Sequence, residues 1–392
     1  MSVVLAQIGG GENWWSWIAW IVFLMIFFMF YPRIMTSQIM WKLERSAKEL
    51  ERMSSDSKGF LVKEVGPPNK TLKDSIERFF EFFLIGPVSL DPFGIVKKFE
   101  HIIQNQKRRF DEFADEILPG ADSEKKASIQ MGLAGGIALY QIAKIVRHYV
   151  ELVRQTKSIQ IAMLLQMQLP LIERFARAVY KGTKAMAKGR PIGDGAGPFV
   201  VATMMGRKPV TKEIEEDILA VKAKVKDKLV YLLKAKGPGG RIGRPGKAVE
   251  KIVEHDKIAR IITIDAAAKL EGEKTGSTAE GVGGAMGGPG VERSFIEDIA
   301  VKKNIPLDSI AIKMSQEEAI MPMRKAIIDA LPSVKEAIDR SLKRVKAGSK
   351  IIIVGVGNTS GVGNSEKDAQ EAADWVAKYE KKLKLEKKKK KD

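Results

Sequence analysis

Residues 14–31 read WWSWIAWIVFLMIFFMFY, an apolar run without a single charge. A helix over 14–35 rises about 30 Å, the thickness of a bilayer's hydrocarbon core. Trp14, Trp15, Trp17 and Trp20 crowd one end of the run, while Tyr31 and Trp41 lie at or beyond the other. Amphipathic rings at both ends match the headgroup level. Arg33, Lys42, Arg45, Lys48 and Arg52 follow the run, whereas Glu12 alone precedes it. The positive-inside rule then puts residues 1–13 outside the cell membrane and everything after Pro32 in the cytoplasm, behind a single span. A cleaved signal peptide would need a basic segment before the run and a small-residue cleavage site after it, and this chain has neither.

Behind the anchor, 392 residues with 45% hydrophobic content are enough for two modest domains. The absence of cysteine excludes disulfides, thiolate nucleophiles and cysteine-based zinc sites. A net charge of +18 calls for an anionic partner, and the anionic leaflet beside a membrane anchor suffices, so nucleic acid is not expected. The run from Lys387 to Lys391 is a solvated tail by default and, here, a contact for lipid headgroups. It has no interleaved aromatic residues to stack on RNA bases.

The apolar period is helical from 36 to 189. The anchor helix is expected to continue past Met53 only as far as the Ser54-Ser55-Asp56-Ser57 cluster, and Gly66-Pro67-Pro68-Asn69 marks a break. Phe79, Phe80, Phe82 and Phe83 are candidates for the membrane interface. Residues 159–171, IQIAMLLQMQLPL, are too short and too rich in glutamine for a second span, which leaves a buried helix or an oligomer contact. Between 190 and 380, β-branched runs at 229–235, 259–265, 309–315 and 350–357 alternate with amphipathic helices. That alternation predicts an α/β domain with a parallel or mostly parallel sheet flanked by helices, of phosphorylase- or hydrolase-like type, ahead of a polybasic tail at 381–392.

Ligands in such sheets bind beyond the carboxyl ends of the strands, which is where the glycines collect. Gly239, Gly240, Arg241 and Arg244 follow one run; Gly355, Gly357 and Asn358 follow another. Glycine frees backbone N–H groups to meet an anion, and the arginines add cationic donors, so these seven residues are candidate ligand contacts. On this reading Arg244 serves the ligand more than the fold. Asp194 lies between glycines ahead of FVVATMM, either capping a helix or presenting a carboxylate. Asp265 ends the run ARIITID, where a carboxylate reads as a general base, half of an acid pair, or a ligand for a divalent metal. The three histidines are far apart, which disfavours a zinc site or a Ser-His-Asp triad.

The order GDGAGP, PGGRIGRPGKAVEKIVE, IITIDAAAKLEG, GGPGVE and IIIVGVGNTS resembles the endopeptidases that degrade spore-protective proteins and mature hydrogenases. The resemblance implies a peptidase acting on a protein or peptide, with acidic roles on Asp194 and Asp265. Where those families have a first strand ending in G-x-G-N, this chain has the helical RFARAVYKGTKAMAKG. The rival expectation is therefore a non-catalytic, membrane-tethered scaffold or binding protein that keeps the fold without the chemistry. The full-length plan resembles an archaeal family of membrane proteins defined only as a domain of unknown function.

Overall fold

The computed structural model describes residues 14–83, 94–283 and 291–389. The segment 1–13, the GGPG at 287–290 and the last lysines of the tail lie outside them. The chain forms two compact units, Met1–Glu51 with Ile142–Glu173, and Arg52–Gln141 with Arg174–Asp392.

Five helices come first: α1 (Trp14–Val65), α2 (Lys70–Phe80), α3 (Ile95–Ile117), α4 (Ser123–Thr156) and α5 (Ile159–Ala187). In the first unit, Ile39, Leu43, Ala47 and Leu50 of α1 bury a stripe at helical spacing, as do Val146, Val150 and Val153 of α4 and Ala162, Leu165 and Leu169 of α5. Arg147 reaches Glu51 at 2.6 Å and Glu44 at 2.9 Å, and Arg154 reaches Glu44 at 2.9 Å. The apolar residues 17–31 of α1 bury nothing within the chain, in keeping with a helix long and apolar enough to cross a membrane. α4 also passes on length and composition, but half of its most apolar stretch is buried, as in a core helix.

α1 does not stop at the serine cluster. It runs on to Val65, with Ser54 and Ser57 buried, because Leu61 and Val62 beyond them pack into the core of the second unit. Tertiary packing overrides the weak helix preference of serine. Phe79 and Phe80 belong to that same core: Phe79 stacks on Phe113 with centroids 3.9 Å apart, while Phe83 stays exposed.

A 3-10 turn (Gly193–Gly195) leads into α6 (Ala196–Met204), followed by β1 (Lys212–Glu215), β2 (Ile218–Val225), β3 (Lys228–Ala235), α7 (Pro245–His255), β4 (Ile258–Ala268), β5 (Thr278–Val282), α8 (Val291–Lys302) and β6 (Leu307–Met314). Then come α9 (Gln316–Ile320), α10 (Lys325–Ile328), α11 (Leu331–Lys343), β7 (Lys350–Gly355) and α12 (Glu366–Lys388). The sheet order is β1-β2-β3-β7-β4-β6-β5. The inner pairs β3·β7, β7·β4 and β4·β6 are parallel, but β1·β2, β2·β3 and β5·β6 are antiparallel. The sheet is therefore mixed, which corrects the expectation of a parallel or mostly parallel one. The four strands read from sequence are the parallel centre, where burial on both faces leaves continuous β-branched runs. The three that were missed are antiparallel outer strands with half-exposed patterns such as the Lys222, Lys224 alternation of β2.

Alternation along each strand separates two cores. Val230, Leu232, Ile262, Ile264, Ile351 and Ile353 face α6, α10, α11 and α12, whereas Tyr231, Leu233, Ile261, Ile352 and Val354 face α7 and α8. The start of α6 lies directly on the strand ends. A Cβ on Gly197 would sit 2.3 Å from the Ile264 carbonyl oxygen and 2.4 Å from that of Val356, so only glycine allows this approach.

Candidate functional site

The carboxyl edge of the parallel centre carries all the residues singled out from sequence. Asp194 sits in the 3-10 turn, where Gly193 donates its N–H to the Met321 carbonyl at 3.1 Å. A carboxylate oxygen of Asp194 accepts the Asn358 N–H at 2.8 Å. Burial pushes the Asp194 carboxyl above the usual aspartate range, and the Asn358 N–H opposes that shift. Asp265 ends the buried part of β4, only 3% exposed, and accepts the Ala266 N–H at 2.6 Å. Since Ile262 and Ile264 face α6, alternation directs Asp265 toward the α7 and α8 side. Asp194, on the turn preceding α6, reaches the same edge beside Gly357 and Asn358, which follow β7. Among the described residues, no three histidine or acidic side chains group as metal ligands.

The two glycine loops do converge, because β3 and β7 are parallel neighbours that end side by side. Thr359 N–H donates to the Arg241 carbonyl at 3.0 Å and Gly361 N–H to that of Pro238 at 2.9 Å, across a cis Gly237-Pro238 bond. The Thr359 hydroxyl donates to the Gly239 carbonyl at 2.7 Å and accepts the Arg241 N–H at 3.1 Å. Asn364 binds Gly237 twice, accepting its N–H at 2.8 Å and donating to its carbonyl at 2.6 Å. Gly357 adopts φ +128° against the Asp194 carbonyl, and Gly355 abuts the Gly197 backbone. Gly240 makes room for the Met131 side chain of α4, whose sulfur accepts the Asn358 amide at 3.0 Å.

Of the donors expected to hold a ligand, Arg241, Arg244 and the N–H groups of Gly239 and Asn358 are engaged by the chain's own carboxylates. Arg241 Nη1 lies 2.8 Å from both oxygens of Glu124, Arg241 Nε lies 3.2 Å from Asp217, and Gly239 N–H also donates to Glu124. Arg244 pairs with Glu100 of α3, and Gly246 N–H at the start of α7 donates to Glu292 of α8 at 2.6 Å. Burial raises the Glu124 carboxyl, but the hydrogen bonds from Arg241 and Gly239 outweigh it and leave the group below its ordinary value. Glu292 is pushed up by burial, opposed by the Gly246 N–H. Arg241 and Arg244 thus each hold a carboxylate of the helical region, Glu124 and Glu100, contacts that the sequence reading of the two arginines as ligand residues did not include. A cleft of about 240 Å³ beside this contact is lined by Glu64, Glu124, Lys125, Ser128, Lys188 and Gly239.

Sequence reading missed Glu100, Glu124 and Glu292, which sit in ordinary amphipathic helices and carry no local signal. It also missed Lys234, fully buried at the end of β3, whose Nζ donates to the Ala235 carbonyl at 2.7 Å and to Asn364 at 2.9 Å. Desolvation brings Lys234 down to about 7. A lysine inside the apolar run LVYLLKA is the signal that would have found it.

Fold and site together define an α/β protein with a mixed sheet, a helical region ahead of it and an N-terminal apolar helix. Residues 17–189 match the N-terminal domain of a protein of unknown function (DUF1512), and residues 192–363 match the DUF1512 C-terminal domain. The chain belongs to this family. No curated protein and no solved structure matches it. The Arg241–Glu124 and Arg244–Glu100 pairs both join the C-terminal family domain to the N-terminal one.

Proposed function

We propose that this protein is a membrane-tethered scaffold or binding protein, anchored by residues 14–35 with its N-terminus outside and its α/β domain in the cytoplasm. One observation supports the non-catalytic reading: Arg241, Arg244 and the N–H groups of Gly239 and Gly246 are occupied by Glu124, Glu100 and Glu292. An edge built this way fixes two family domains together. Anionic headgroups complete the tether, since the lysine tail is attracted to an anionic leaflet by about 1 kcal/mol per residue near its surface.

The peptidase-like reading is the rival. It draws on Asp194, whose carboxyl is raised by burial, and on Asp265, buried at the same edge, working as an acid pair or around a divalent metal. The discriminating experiment is rescue of a deletion strain. A scaffold predicts that the Asp194→Asn/Asp265→Asn double variant restores the parental phenotype, while a chain lacking residues 14–35 does not. Failure of the folded, membrane-bound double variant would transfer the assignment to the acid pair.

A further inference from the structure

We infer that the tip of the hairpin formed by α4 and α5 is a second membrane contact, in which Ile159, Met163 and Leu164 lie among the headgroups of an anionic bilayer beside the end of the span. The inference rests on the membrane reading of residues 14–35. From 159 to 172 α5 carries no charge, in a chain that is 29% charged. Ala162, Leu165 and Leu169 turn one side of it inward. On the outward side Ile159 is 37%, Met163 49% and Leu164 55% exposed. A contiguous apolar face of this kind marks a contact with lipid or protein.

Height and charge decide for the bilayer. Arg147 meets Glu51 and Arg154 meets Glu44, so α4 descends antiparallel to α1, toward the span. That leaves Lys157, at the tip, level with Trp41 and about 9 Å past Met35, where a lysine side chain reaches back to the phosphates. Ser46 of α1 hydrogen-bonds Glu173, so α5 returns parallel to α1. At equal rise Ile159 is level with Pro32, Met163 with Thr36 and Leu164 with Ser37; the reach of the glutamate toward the start of its own helix raises each by at most about one turn, 5 Å. Met163 and Leu164 then lie about 2–8 Å past Met35, in a headgroup layer about 5–8 Å deep, and Leu171 lies about 13–19 Å past it, in water. Around this tip, residues 36–45 and 154–163 hold Lys42, Arg45, Arg154 and Lys157 against one carboxylate, Glu44. Glu44 is already paired with Arg147 and Arg154. The excess of cations suits an anionic leaflet and opposes a second copy carrying the same excess. Trp41, 64% exposed on α1 with Arg45 5.7 Å over its ring, adds an aromatic group suited to the same layer.

The cysteine-free chain permits one fluorescent label at a time. Full-length protein labelled with bimane on Met25→Cys, Met163→Cys or Leu171→Cys is placed in vesicles of phosphatidylcholine and phosphatidylglycerol and read with a quencher carried on the lipid and with iodide in the water. The lipid-borne quencher should act about three-fold more strongly at Met163→Cys than at Leu171→Cys, and iodide should show the reverse order. Met25→Cys, inside the span, separates two failures. If lipid quenching is missing there, the membrane reading of residues 14–35 falls, and the inference with it. If Met25→Cys is quenched while Met163→Cys is quenched no more than Leu171→Cys, the anchor stands and the inference is overturned. A disulfide-linked dimer of unlabelled Met163→Cys, without lipid quenching of the labelled protein, would also overturn it and give the face to a second copy.

Discussion

Arg241 holds Glu124 through two contacts of 2.8 Å, joining the loop after β3 to the first turn of α4. The arginine is 10% exposed and the glutamate about a third. Removing the guanidinium leaves a half-buried carboxylate with the Gly239 N–H. Arg241→Ala should therefore destabilise the second unit by about 2–3 kcal/mol. Arg241→Lys should recover only part of this, because a single ammonium cannot reproduce the fork. Arg244→Ala should cost about 1–2 kcal/mol, as the Arg244 guanidinium is more exposed than that of Arg241. Denaturant unfolding of the three variants in detergent checks the order, and an unchanged midpoint for Arg241→Ala would remove the clamp.

Lys234 makes stability depend on pH in the alkaline direction. Its value of about 7 in the fold lies below its ordinary 10.5. Below pH 7 both states bind the proton and the cost of burying the charge is complete. Between about 7 and 10.5 the unfolded chain binds more protons than the folded one, so stability rises with pH, by at most about 1.4 kcal/mol per unit from this group. Lys234→Met should flatten that rise. Unfolding at three pH values across the window, with the two slopes compared, tests it; identical slopes would mean the lysine titrates normally.

Gly197 has no room for a methyl group between the Ile264 and Val356 carbonyls. Gly197→Ala should cost about 1–3 kcal/mol by pushing α6 off the strand ends. Gly281, in the outer strand β5, has nothing within 4 Å of its would-be Cβ. Gly281→Ala should stay within about 0.5 kcal/mol. Thermal melts of the pair provide the contrast, and equal losses would contradict the close approach.

The orientation proposed from the charges that flank residues 14–35 is one that protease can read. Added to intact cells, protease should spare everything after Lys42, while the same protein in opened vesicles should be cut. External digestion of the α/β domain would reverse the topology and remove the cytoplasmic setting.

The sequence by itself determined the apolar helix at 14–31 and the four central strands, because both signals are local: an unbroken uncharged run, and β-branched stretches buried on both faces. It also indicated that the glycines after β3 and β7 share one edge. Tertiary structure alone decided the rest. Leu61 and Val62 carry α1 through a serine cluster that local preference would end. The antiparallel strands β1 and β5 are held by hydrogen bonds to their neighbours, with too few buried side chains to leave a pattern, while β2 is buried only over Ile218 to Val221 and turns half-exposed beyond them. The partner of Arg241 lies 117 residues away in sequence. A guanidinium beside glycines looks the same in sequence whether it awaits a ligand or grips a carboxylate of its own chain, since the desolvated geometry that distinguishes them exists only after folding.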